Sequence, residues 1–127
     1  MGHYKSNLRD VEFNYFEVFN RQEVLGQDPY GEVDADIYKL PLATNPRAKM
    51  SGLKRGFVKV FCRPNTGLVI GGVVVAPNAS ELILPLTVAV QNGLTVDDVA
   101  QTFSVYPSLA GSVTEAARQL MRQDDLA

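Results

Sequence analysis

The chain is poor in two residue types on which many small active sites and metal sites depend. Among 127 residues it has one cysteine, Cys62, and one histidine, His3. A single cysteine excludes an intramolecular disulfide, a CxxC redox pair and a multi-cysteine metal site. A single histidine near the N-terminus leaves little basis for a histidine metal site or a Ser/His/Asp triad. No apolar run approaches the ~18 residues of a membrane span, and no signal-peptide apolar region stands at the start. No membrane span is expected, and a cytoplasmic location is. No GxGxxG or Walker motif occurs, so no phosphate cradle is read from the chain. The net charge of −2 excludes a broad nucleic-acid footprint, and no nucleic-acid partner is expected.

What is present is unevenly distributed. Residues 1–36 carry three basic and eight acidic side chains, and residues 37–127 carry nine and six. Six of the eleven aromatics (Tyr4, Phe13, Tyr15, Phe16, Phe19 and Tyr30) fall in the first thirty residues. Two segments of different character are joined near residue 36. The hydrophobic content of 46% supports one ordinary globular core.

In residues 7–25 the apolar Leu8, Val11, Tyr15, Val18 and Phe19 recur at helical spacing. Asn7 suits a cap and Gly26 a stop. The spacing predicts an aromatic N-terminal helix, packed on the chain or docked on a partner. "GQDPYGEVDAD" (26–36) reads as an acidic linker. "DIYKLPLAT" (36–44) reads as a short strand, placed at an edge by Pro41. Residues 45–55 read as a short helical turn or loop. "GFVKVFC" (56–62) alternates as a strand does. "RPNTG" supplies turn residues, and "LVIGGVVVA" (68–76) is a second strand, apolar on both faces. Gly71 and Gly72 interrupt it and predict a bulge or a close approach.

Three helices are expected after the hairpin. Asn78–Glu81, Thr95–Asp98 and Ser112–Glu115 each have the spacing of a capping box. Pro85 should kink the first helix, predicted to run to Asn92. The last starts at Ser112 or as early as Ser108. The predicted fold is α+β: a small antiparallel sheet of about three strands with helices on one face, preceded by the aromatic helix.

Few residues offer chemistry. Asp97 and Asp98 fit helix capping better than a catalytic carboxylate pair. Arg47, Lys49, Lys54, Arg55, Lys59 and Arg63 form a basic run, read as a solvated face. Cys62 sits in an apolar strand and reads as a small buried side chain. No nucleophile, base and orienting group come together, so no catalytic set is expected.

Four stretches then carry a resemblance: "GFVKVFC", "TGLVIGGVVVAPNASELI", "AVQNGLTVDDVAQT" and "YPSL…EAA". Over residues 37–123 the chain resembles the C-terminal dimerisation domain of the FAD-dependent pyridine nucleotide-disulfide oxidoreductases, closest to a quinone-reductase or lipoamide-dehydrogenase-like branch. The resemblance implies a homodimer, with the loop before the last helix facing the partner's flavin. That loop in the family reads His-Pro-Thr, the His acting as acid–base and a Glu orienting it. Here Tyr106 takes the His position and Gly111 the Glu position, so no catalytic residue is carried over. Tyr106, Pro107 and Ser108 become the interface loop, and Tyr106–Pro107 a candidate cis bond. FAD and NAD(P)H are the family's cofactors. Its GxGxxG- and CxxxxC-bearing Rossmann domains have no counterpart in these residues, so no cofactor is expected on this chain alone. Residues 1–36 resemble the N-terminus of bacterial acyl-CoA dehydrogenases, which sets the expected domain boundary at 36/37. The implied function is a dimerisation domain, inactive alone. The alternative is an adaptor that docks on a flavoenzyme subunit through its aromatic helix.

Overall fold

The structure is a computed structural model that describes residues 13–20 and 35–121. Its centre is a four-stranded antiparallel sheet. In chain order the elements are β1 (Asn14–Phe19), β2 (Asp36–Pro41), a 3-10 turn (Leu42–Thr44), α1 (Pro46–Met50), β3 (Phe57–Cys62), β4 (Val69–Ala76), α2 (Ala79–Leu82), α3 (Leu84–Gln91), α4 (Val96–Ala100) and α5 (Gly111–Gln119). The strand order is β1-β4-β3-β2, which puts β2 at an edge as Pro41 requires.

The first segment departs from expectation. Over its described part it is a strand, not a helix, and it adds a fourth strand to the sheet. The rest of the expected helix lies outside the described residues. Asn-Tyr-Phe-Glu-Val-Phe is rich in aromatic and β-branched side chains, which fit a pleated surface. Its apolar spacing satisfied a helical period, but β4 decides the outcome. Val18 pairs with Gly72 and Phe19 with Gly71. A side chain at Gly71 would overlap the Phe19 ring. The glycine therefore makes room for a cross-strand aromatic, and that ring meets Phe61 edge-on at 5.1 Å.

The other face of the sheet is the core. Val58, Val60 and Cys62 of β3 point into it, with Val74 and Ala76 of β4. Gly72 lets α3 approach closely. A Cβ there would lie 2.5 Å from Leu86 Cδ1, and Leu86 is itself fully buried. Between Phe61 and Cys62 the register slips: Phe61 faces Gly71 but Cys62 faces Val69. Ile70 is the extra residue, and its carbonyl accepts from Asn20 N at 2.9 Å.

The helices cover one face, as predicted. Thr95 and Asp98 form the expected capping box on α4, with bonds of 2.9 and 3.2 Å. Asn78 does not cap. It adopts a left-handed conformation (φ 58°), which asparagine tolerates, and the chain turns there out of β4. The single kinked helix expected after it is two pieces, α2 and α3, divided at Ile83 because Pro85 cannot donate inside a helix. At α5 the N-cap position is Ala110, not Ser112, and Ser112 is buried inside the helix.

Candidate interface loop

The connection from α4 to α5 holds the residues singled out by the family resemblance. It leaves α4 through Thr102, whose hydroxyl donates to Asp98 O at 2.8 Å. It then exposes three large apolar side chains within four positions: Phe103 (87%), Val105 (67%) and Tyr106 (79%). The Tyr106–Pro107 bond is cis. A tight turn follows, in which Gly111 N donates to Ser108 O at 3.2 Å and to Ser108 Oγ at 3.3 Å.

The loop is fastened from a distant part of the chain. Asn45 precedes Pro46 at the start of α1, where a capping side chain is favoured. Its Oδ1 accepts from Arg47 N at 2.8 Å and Ala48 N at 3.1 Å. Its Nδ2 donates to Ser108 O at 2.9 Å and to Ser112 Oγ at 2.8 Å. The side chain is only 6% exposed, so these bonds replace water for a buried amide. The Arg47 guanidinium donates to Pro107 O from Nε and Nη2, at 3.4 and 3.3 Å. Between the loop and α5 lies a groove of about 540 Å³, bordered by Thr44, Ser104, Tyr106, Ser108 and Glu115.

Tyr106 reaches into solvent and Gly111 has no side chain to orient it. The space at Gly111 is nonetheless open. A Cβ there would meet only Asn45 Nδ2 at 3.9 Å and Ser108 Oγ at 4.0 Å, ordinary contacts. Nothing in the backbone forces glycine at this position.

The other sequence candidates lie elsewhere. Cys62 is 1% exposed and its thiol is pushed up to about 11, first by burial and then by the charges of Asp36 and Asp97. It is a protonated, inaccessible thiol at neutral pH. The basic run does not form one surface. Arg47 serves the loop, whereas Lys59 stands on the open face of the sheet, with Lys39 opposite it on β2. Like charges so placed repel. Both ammonium groups lie over the Phe57 ring, at 4.5 Å for Lys39 and 5.8 Å for Lys59. The paired glycines of β4 are filled by Phe19 and Leu86 and leave no cradle for a cofactor pyrophosphate.

The sequence alone does not single out Asn45. The Asn-Pro-Arg-Ala order signals a helix start, but the partners of its amide nitrogen lie 63 and 67 residues further on.

The architecture is a small antiparallel sheet roofed by short helices, with an exposed apolar loop before the last one. The family described as pyridine nucleotide-disulphide oxidoreductase, dimerisation domain, matches residues 27–117, and the chain belongs to it. It is 68% identical over 96 residues to an NAD(P)H dehydrogenase (quinone) of Mycobacterium tuberculosis, covering 76% of this chain and 20% of that protein. It is 39% identical over 87 residues to a dihydrolipoyl dehydrogenase of Haloferax volcanii, covering 68% and 18%. The crystal structure of LpdA from Mycobacterium tuberculosis superposes with a TM-score of 0.75 at 60% identity, over 85% of this chain and 23% of that one. A flavoprotein disulfide reductase, RclA of Escherichia coli, shares the fold at a TM-score of 0.64 and 22% identity, over 69% and 20%. The chain spans about a fifth of the length of these relatives.

Proposed function

We propose that the chain is the self-association module of an FAD-dependent NAD(P)H oxidoreductase of the quinone-reductase type. The observation that carries this reading is the cluster of Phe103, Val105 and Tyr106, exposed yet held on a fastened loop. Apolar side chains grouped on a surface mark a contact site more often than a solvated one. The family's dimerisation role and the likeness to a quinone reductase support the assignment. The contact is two-fold, so each copy offers its loop to the other. FAD and NAD(P)H are assigned to the rest of such an enzyme.

The adaptor alternative rested on an aromatic helix. Its described part is a strand paired along β4. No helix among the described residues is long and apolar enough to cross a membrane.

A photo-crosslinking side chain at position 103 tests the loop directly. Irradiation is expected to give a covalent dimer, while the same group at Asn65, in the β3–β4 turn, gives none. Equal yields at both positions, or none at 103, would count against the assignment.

A further inference from the structure

We infer that Asn45 and Arg47 are positioning residues that hold the Phe103–Ser108 loop in the shape that meets a second copy. The inference rests on the interface reading above and goes beyond it. An exposed apolar loop left free would pay its ordering cost at each encounter. Here that cost is met within the monomer. Both residues sit at the start of α1, which follows the edge strand β2, so their position is set by the sheet. From there they grip consecutive carbonyls. Arg47 takes Pro107 O, and Asn45 takes Ser108 O. The second Asn45 bond, to Ser112 Oγ, ties the same amide to the first turn of α5. The loop is thus fixed just past Tyr106, and its apolar tip projects from a held base.

The two halves of the Asn45 amide do different work, which makes the inference testable. Oδ1 serves α1 and Nδ2 serves the loop. Asn45→Asp keeps an acceptor for Arg47 N and Ala48 N, but sets a carboxylate oxygen against Ser108 O. Arg47→Ala removes the other grip from an exposed position, where folding is not at stake. Arg47→Lys keeps one donor.

The experiment is backbone hydrogen exchange on the full chain, paired with sedimentation equilibrium. In Asn45→Asp and Arg47→Ala, the amides of Gly111, Ser112 and Val113, which donate to Ser108 O, Leu109 O and Ala110 O, are expected to exchange roughly tenfold faster as the turn loosens. The dimer dissociation constant is expected to rise by a similar factor. Amides of β3 and β4 should not change, and Arg47→Lys should fall close to the parent chain. Unchanged exchange at Gly111, Ser112 and Val113 overturns the inference. Faster exchange with unchanged association also overturns it, provided Tyr106→Asp does weaken association, and the interface reading then survives. If Tyr106→Asp has no effect either, the interface reading itself has failed and the inference falls with it.

Discussion

Gly56→Ala is expected to destabilise the fold by about 3 kcal/mol, enough to lower the melting temperature by more than 10 °C in a domain of this size. Two effects combine. Gly56 has φ +100°, a conformation that side chains rarely accept. A Cβ there would also overlap the carbonyl oxygen of Val75 on β4 and press on Leu42 Cδ1 and Phe13 Cε2, each at 3.0 Å. A backbone carbonyl inside a ladder cannot step aside cheaply. Gly52 separates the two effects. It has φ +72° with nothing within 4 Å of an added Cβ, so Gly52→Ala should cost only about 1 kcal/mol. Thermal or urea unfolding of both variants checks the pair. Equal losses would mean that conformation alone matters and that the close packing at Gly56 does not.

The second large effect concerns association rather than folding. Replacing Phe103 and Tyr106 together by aspartate is expected to raise the dimer dissociation constant by about 100-fold or more. Both side chains are exposed, so their loss removes little from the core. Apolar anchors at an interface commonly contribute about 2 kcal/mol each, and two new carboxylates on each copy add repulsion across a two-fold contact. The unfolding midpoint measured where the parent chain is monomeric should barely move. A variant that unfolds instead would show the loop to be part of the core.

The hairpin, the edge strand and the α4 cap were legible in the sequence because each is written locally. Phe57 to Cys62 alternates, Pro41 forbids a ladder bond, and Thr95 and Asp98 stand at reciprocal spacing. The elements misread were decided by something distant. The Asn14–Phe19 segment fits two periods, and only β4 selects one of them. A usable signal was β4 itself, since a strand apolar on both faces calls for cover on both. Asn78 carried a capping pattern, but the turn out of β4 demands a left-handed residue there. The loop was located through Tyr106, Pro107 and Ser108, yet its fastening was not. No local pattern shows that an amide at position 45 will reach a carbonyl at position 108.

Sedimentation equilibrium of the parent chain, run beside the Phe103→Asp/Tyr106→Asp variant, puts the central claim to its most direct test. The expected result is a reversible species of twice the chain mass for the parent, assembled at micromolar concentration, and a monomer for the variant under the same conditions. A parent chain that stays monomeric throughout, or a variant that assembles as the parent does, would contradict it.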